Sequence, residues 1–502
     1  MSYATPESAT AMPWIGNRLT IGHVYLVLAI AAATGAALWR RLPPHDLWWH
    51  MSMGRTIAET GVVPTADRWT FTQFGAPFYD QPWAAQVGMY RVFQLGGLEL
   101  LATVNALLVG LSVAFLLRAL VRVTGHRRLT AVPFLAVAMP LAVASYMMRP
   151  QTLGVVLFTV MLGVLLRHRA GHWPRAVLFV LPLLTVVWAN SHGSVILAPV
   201  LVGIFLVGNR LDARAVRSAR DHPRSSSSLA LPAVLCVLAT LVNPVGFRLW
   251  EFTLLFPRHD TVRLLATEWA PTWPTDFDGI VFWVVLSYVG GLLIWSRRMP
   301  TRTDLLLLGV FAAFALSARR NTVWFGLVAA VVITLHFAAV EREAPEERVQ
   351  VGMNRLIAAT ALLAIVALLP WWRSPAASGH TPLLGTDTPV AAAEYLSDLG
   401  DKPRRLFTDI GYASYVTWTS AGTIPVFMDG RLELYPQEQA LDYAAASAGR
   451  NSVRLLDSYS VDAVLASRAT QAGLIDALVE SGNWTTLYED PLAVYLVPTS
   501  DA

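Results

Sequence analysis

The stretch Pro43-Pro44-His45-Asp46-Leu47-Trp48-Trp49-His50 follows directly on an apolar run, residues 20–39, of the length that crosses a bilayer as one helix. It sets a carboxylate among two imidazoles and two indoles where that helix would leave the lipid, a setting in which a buried general base can work. Composition agrees with a membrane protein: 55% of the 502 residues are hydrophobic and only 14% are charged, more apolar surface than one soluble core needs. The net charge of +4 is carried almost wholly by arginine, since Lys402 is the sole lysine, and it sits in short clusters between apolar runs. Such clusters report topology, whereas a nucleic-acid surface would spread its charge as a patch. Cys236, the single cysteine, lies inside an apolar run, so the chain holds no internal disulfide.

Eleven apolar runs are candidate spans: about 20–39, 98–117, 129–147, 152–166, 176–189, 195–207, 229–242, 279–295, 303–317, 322–340 and 355–369. Several fall short of about 20 residues, so tilt or a re-entrant helix is expected among them. Small residues from Ala31 to Ala37 imitate a signal-peptidase site, but the Arg40-Arg41 pair comes after the run and further spans follow, which reads as an uncleaved span. With a cytoplasmic N-terminus, the first two inside loops hold Arg118, Arg122, Arg127 and Arg128, then Arg167, Arg169 and Arg175. The next three hold Arg210, Arg214, Arg217, Arg220 and Arg224; Arg297, Arg298 and Arg302; and Arg342 and Arg348, all as the positive-inside rule expects. An odd number of spans then places the tail, with Asp46, on the extracytoplasmic face of a plasma (inner) membrane.

Three regions follow: a cytoplasmic N-terminal tail, residues 1–19; a transmembrane region, 20–373, with its first outside loop at 40–97; and an extracytoplasmic domain, 374–502. In the last, short apolar runs alternate with helix-like stretches. Strands are expected at 406–408, 426–428, 463–465 and 493–497, and helices at 390–399, 437–448 and 471–480, which makes a small α/β domain. Asp409-Ile410-Gly411 and Asp429-Gly430-Arg431 follow two of these strands. Carboxylates and an arginine there either bind ligand or cap helices and close turns, and Asp429 and Arg431 are candidates for the acceptor side. The fold class is thus an α-helical polytopic membrane bundle of about eleven spans, with surface helices in the first outside loop and a small C-terminal α/β domain.

In that first loop, residues 46–61 read as a helix along the membrane surface closed by Gly61, and Tyr79-Asp80-Gln81-Pro82-Trp83 leads into a second. The succession Asp46-Leu47-Trp48-Trp49-His50, Gly54, Gly61, Pro64, Asp67, Thr72, Gly75, Gln81-Pro82-Trp83 resembles the first loop of bacterial membrane proteins in the C-type glycosyltransferase superfamily. Further matches cover most of the chain: Arg149-Pro150-Gln151, Trp188-Ala189-Asn190-Ser191-His192-Gly193, Asn243-Pro244-Val245-Gly246, Glu268-Trp269, Arg319-Arg320-Asn321, and in the tail Asp429-Gly430-Arg431 with Glu433, Tyr435 and Asp442-Tyr443. The subgroup is one defined by sequence, without a settled substrate. The resemblance implies a helical bundle that transfers a sugar from a polyprenyl-phosphate carrier to an acceptor hydroxyl on the outer face, with inversion, using an acid of the first outside loop as base. Asp46 is the matching position. Many members carry a second acid beside the first, where this chain has Leu47, which leaves Asp67 or Asp80 as partner and puts a metal role in question. No metal ligands are assigned, and a divalent cation has no support from the residues.

Displacing a lipid phosphate by an alcohol requires one base for the alcohol proton, and guanidinium groups for the departing phosphate. Arg149, Arg319 and Arg320 each end a span running outward and face the compartment of Asp46, although such arginines also snorkel to headgroups or pair with Glu268. His192 and Asn190 either bind sugar or carrier phosphate, or satisfy a tight turn. His45 and His50 are placed to orient Asp46; five residues apart, they share a helical face poorly for metal binding. Trp48, Trp49 and Trp83 offer faces for a sugar ring or a prenyl chain, or anchor the interface, and Gln81 and Gln151 complete the substrate-binding candidates. The expected partners are a lipid-linked sugar donor, a glycan, lipid or protein acceptor, and the bilayer, with no nucleic acid. Two other classes stay open. A transporter or flippase of lipid-linked saccharides would want charges inside the spans, which carry almost none; a non-enzymatic subunit of a cell-envelope assembly complex would use the tail to dock a partner.

Overall fold

Inside a bilayer a chain must satisfy its own backbone hydrogen bonds, and each apolar run does so as a helix. In the computed structural model, which describes residues 19–215, 226–295, 299–340, 350–373 and 382–501, the helices of the bundle are α1 (Ile21–Trp39), α2 (Asp46–Thr60), α3 (Trp83–Thr124), α4 (Arg127–Tyr146), α5 (Pro150–Arg169), α6 (Arg175–Ala189), α7 (Gly193–Arg214), α8 (Ala230–Ala239), α9 (Arg248–Leu255), α10 (Asp260–Leu265), α11 (Phe277–Trp295), α12 (Arg302–Ser317), α13 (Thr322–Val340) and α14 (Val351–Ala367). Among the described residues seven helices are long and apolar enough to cross a membrane. The other four expected runs form the shorter α6, α8, α12 and α14. At about 1.5 Å per residue, the 10 residues of α8 reach through about half of the hydrocarbon. Arg217, Arg220, Arg224, Arg297, Arg298, Arg342 and Arg348, most of the N-terminal tail and the expected start of the C-terminal domain lie outside the described residues.

Small residues set the close approaches. Ala29, Ala33 and Ala37 of α1 are buried, Gly110 of α3 lies against Thr34, Gly208 of α7 against Thr303, and Gly326 of α13 against Leu141. A Cβ at any of these glycines would collide with its neighbour, so the backbones meet only because it is missing.

The first loop departs from expectation. α2 ends as expected on Gly61, in the left-handed region at φ 71°, but it does not lie open on a surface. Nine of its 15 residues are buried, because it is wedged between α3 and the tail. Trp48 packs edge-on to Tyr415 at 5.0 Å, and the Arg55 guanidinium covers Trp418 at 4.4 Å. The second expected surface helix is continuous with the next span, broken only at Gly96 and Gly97, whose φ of +66° suits glycine.

The tail forms a four-stranded sheet, β1 (Leu406–Thr408), β2 (Ala463–Ser467), β3 (Trp484–Glu489) and β4 (Ala493–Pro498), in the order β1-β2-β4-β3, with β1 parallel to β2 and the other pairs antiparallel. Its helices are α15 (Val390–Asp398), α16 (Ile410–Thr419), α17 (Gln437–Ser447), α18 (Ser452–Ser458) and α19 (Ala472–Ser481). The expected strand at 426–428 does not form. Val426 instead makes single bridges to Leu406 and to Thr70 of the first loop, with Val426 N–H donating to Trp69 O at 3.0 Å and Phe71 N–H to Val426 O at 3.1 Å. The first loop therefore extends the tail's sheet by one bridge, fastening tail to bundle at the mouth of the spans.

Candidate functional site

Asp46 is the first residue of α2, and Arg149 precedes Pro150 at the start of α5. Arg149 Nη1 donates to Asp46 Oδ2 at 2.8 Å and its Nη2 to Glu268 Oε2 at 3.3 Å, while Arg320 Nη1 donates to Glu268 Oε1 at 2.6 Å and its Nη2 to Gln151 Oε1 at 2.9 Å. Residues 103 to 274 positions from Asp46 are thus brought into one ladder, at the end of the bundle that carries the tail. Trp269 lies under the Arg320 guanidinium at 4.5 Å. The ladder borders a cavity of about 1030 Å³, at the upper end of the range for one small ligand, which leaves room for two reactants. Below it the floor is apolar, with Ala102, Met147, Ile196, Phe314 and Trp324.

Charge on the cavity wall is divided. The bundle and first loop contribute Arg40, Arg41, Arg149 and Arg320 against Asp46 and Glu268; the tail contributes Asp409 and Glu433 and neither arginine nor lysine. Gly430 presses the tail against the site, since a Cβ there would stand 3.2 Å from Asp46 Oδ1 and 3.3 Å from the Trp49 ring. The Glu433 carboxyl is pushed up to about 7, chiefly by burial, with Asp429 and Asp46 adding repulsion.

Two histidines are held neutral. Burial pushes His50 well below its usual range, with Arg149 adding to the effect, and Gln86 Nε2 lies 3.0 Å from His50 Nδ1. His192 is lowered by burial and then by Arg320, Arg149 and His50, and its Nδ1 accepts from Ser194 N–H at 3.1 Å. With Nδ1 accepting in both rings, Nε2 carries the hydrogen and serves as a donor. Trp49 Nε1 and Arg149 Nε are buried N–H groups that find no acceptor in the protein. All four residues border the cavity.

Of the residues singled out from sequence, His45, Asp46, Trp49, His50 and Gln81 border the cavity from the first loop, and Arg149, Gln151, His192, Glu268 and Arg320 from the bundle. The others do not. Trp48 is packed under the tail; Trp83 Nε1 donates to Asn190 Oδ1 at 2.8 Å, and Asn190 Nδ2 donates to two carbonyls, so this pair clasps loops together. Arg319 is drawn away into an ion pair with Asp276 at 2.5 Å. Asp67, Asp429 and Arg431 form one buried cluster: Arg431 Nη2 reaches Asp67 Oδ1 and Asp429 Oδ2, each at 2.6 Å, and none of the three is more than 1% exposed. They tie the tail to the first loop and cannot receive an acceptor.

Asp80 is no second acid for Asp46 either. It is 3% exposed, accepts from Gln86 Nε2 at 2.8 Å and buttresses the Gln86–His50 pair from behind. Burial raises its pKa to about 7, against the pull of Gln86 and Arg431. Because the folded-state value lies above the ordinary one, its ionisation opposes folding increasingly as pH climbs from about 4 to about 7. Asp80→Asn should therefore raise stability over the parent by about 2–4 kcal/mol at pH 8, the gain shrinking toward pH 5. Melting curves in nanodiscs across that range check this; a pH-independent difference would mean that Asp80 stays ionised throughout.

A divalent-ion site is poorly served by this donor set. Asp46 and Glu268 are bridged by a guanidinium, and among the described residues no group of three or more His, Cys, Asp or Glu converges. Arg40, Arg41 and Glu433 were not singled out as site residues from sequence, and Asp409 was read only as a strand-end carboxylate that binds ligand or caps a helix. The arginine pair reads equally well as a topology signal, and the two acids reach the cavity only through the docking of the tail.

The fold is that of a polytopic membrane protein with a small C-terminal sheet, and solved C-type glycosyltransferases share it. Its structural neighbours are enzymes of that class. The archaeal oligosaccharyltransferase AglB from Archaeoglobus fulgidus, in complex with an inhibitory peptide and a dolichol-phosphate, aligns with 96% of this chain and 75% of its own at 13% identity and a TM-score of 0.53. ArnT from Cupriavidus metallidurans in the apo state aligns over 96% of this chain and 98% of its own at 16% identity and a TM-score of 0.52. A mycobacterial arabinofuranosyltransferase, AftD, matches 96% of this chain but only 42% of its own, at 13% identity and a TM-score of 0.54. No family model matches the chain, and no curated protein matches it by sequence.

Proposed function

We propose that the protein is a glycosyltransferase that moves a sugar from a polyprenyl-phosphate carrier to an acceptor hydroxyl on the extracytoplasmic side of the plasma membrane. The observation that carries this reading is Arg149: one guanidinium holds Asp46 and Glu268 while its Nε–H has no acceptor, at the lip of an apolar-floored cavity. A carrier phosphate seated against Arg149 and Arg320 meets two guanidinium groups, and its prenyl chain runs over the apolar floor. The acceptor oxygen attacks the anomeric carbon from the opposite side; the C–O bond to phosphate breaks with its electron pair going to phosphate, and the acceptor proton passes to Asp46. Phosphate leaves as an anion, so no protonated second carboxyl is required, in contrast to glycoside hydrolysis. His50 and His192, as neutral N–H donors, bind sugar or phosphate oxygens without adding charge.

Arg149→Ala tests the phosphate site. Its carboxylate partners are about one third exposed, so water can take over the lost pairing and the fold should survive. Binding of a polyprenyl monophosphate in nanodiscs should weaken about 10–100-fold, and Arg149→Lys should recover only part because it lacks the planar fork. Unchanged affinity in Arg149→Ala would remove the phosphate from this position.

A further inference from the structure

We infer that the tail wall of the cavity is a subsite for a neutral saccharide acceptor, an assignment that rests on the transferase reading above. The nucleophile must approach the anomeric carbon from the side away from the phosphate. With every cavity-lining arginine on the bundle and first-loop side, the side away from Arg149 and Arg320 is the tail wall.

That wall has the chemistry of sugar recognition. Asp409 caps α16, its Oδ1 accepting from Gly411 N–H at 2.8 Å and its Oδ2 from Thr470 Oγ1 at 2.7 Å. A carboxylate offers about four acceptor positions, so Asp409 retains capacity for ligand hydroxyls. Gln471 Nε2 donates to Ser447 Oγ at 2.9 Å, and that hydroxyl in turn bonds to Tyr443, so the polar groups behind Asp409 are held in place. The His45 ring rests on Gly411, one residue from Asp46, and joins this subsite to the base.

Asp409, with no arginine or lysine on the same wall among the described residues, would repel a phosphorylated or uronic acceptor. Hydroxyls and an amide around Asp409 match the vicinal hydroxyls of a neutral sugar. The acceptor class is therefore a neutral glycan end.

The test uses the full chain in nanodiscs and saturation-transfer NMR with methyl glucoside, methyl galactoside, methyl mannoside and methyl glucuronide, beside a separate titration with polyprenyl monophosphate. At least one neutral glycoside should bind and the glucuronide should not. Asp409→Asn, which keeps the helix cap, and Thr470→Val should each weaken the neutral sugar about tenfold or more and leave polyprenyl phosphate affinity unchanged. Absence of binding by all three neutral glycosides, equal binding of the glucuronide, or unchanged affinity in Asp409→Asn and Thr470→Val would overturn the subsite. Loss of the sugar with polyprenyl phosphate still bound counts against this inference alone, whereas failure of the parent to bind polyprenyl phosphate counts against the transferase reading.

Discussion

Replacing Asp46 by asparagine is expected to lower transfer by about 10²–10⁴-fold while the protein accumulates and folds as before. The amide keeps the shape of the carboxylate but cannot take the acceptor's proton. Its loss also frees Arg149 from one ion pair, so polyprenyl monophosphate should bind the variant at least as tightly as the parent. That combination separates a base from a structural carboxylate. A residue needed only to hold Arg149 would, when changed, disturb phosphate binding and chemistry together. Assay of glycan product alongside lipid-phosphate affinity reads both, and full activity in Asp46→Asn would end the assignment.

The second large effect lies outside the cavity. Arg431→Ala should cost about 3–5 kcal/mol, because it strands Asp67 and Asp429 as buried carboxylates without a counterion. Water cannot take over there as it can at Arg149, since all three side chains are at most 1% exposed. The guanidinium is also sandwiched, with Trp69 at 4.8 Å and Phe78 at 5.1 Å from its carbon, so lysine should rescue little. The cluster joins the first loop to the tail, and the loss should appear as loosened docking: a lower melting temperature in nanodiscs and faster proteolysis within residues 62–80. A variant with unchanged melting and cleavage would show that the bridge at Thr70 and Val426 suffices to hold the tail.

Much of this was legible from residues alone, for identifiable reasons. Spans are local: an apolar run declares a helix. Asp46, Arg149, Glu268 and Arg320 were readable because each stands at a span end or in a loop on the same side. Partners were not. Nothing in the sequence separates Arg320, which turns into the cavity, from Arg319, which turns to Asp276. Asp429 and Arg431 looked like ligand residues as charges after a short expected strand, and Asp67 as a second acid for Asp46, whereas the fold pairs the three in one buried cluster. The strand β3 was missed because much of its surface is exposed and its Thr485-Thr486 pair reads as polar loop. Residues 426–428 look like a strand, but Val426 pairs with one residue on each side and goes no further. Asp409 and Glu433 depend on where the tail docks, a non-local fact with no local pattern.

The most direct measurement is a cryo-electron microscopy map of the protein in nanodiscs with a polyprenyl monophosphate. The phosphate should lie between Arg149 and Arg320, with oxygens at about 2.7–3.2 Å from guanidinium nitrogens and the prenyl chain passing Phe314 and Trp324. Asp46 should face the remaining space beneath Gly430. A lipid phosphate ordered elsewhere on the bundle, with Arg149 still locked to Asp46 and Glu268 and the cavity filled only by solvent, would contradict the account.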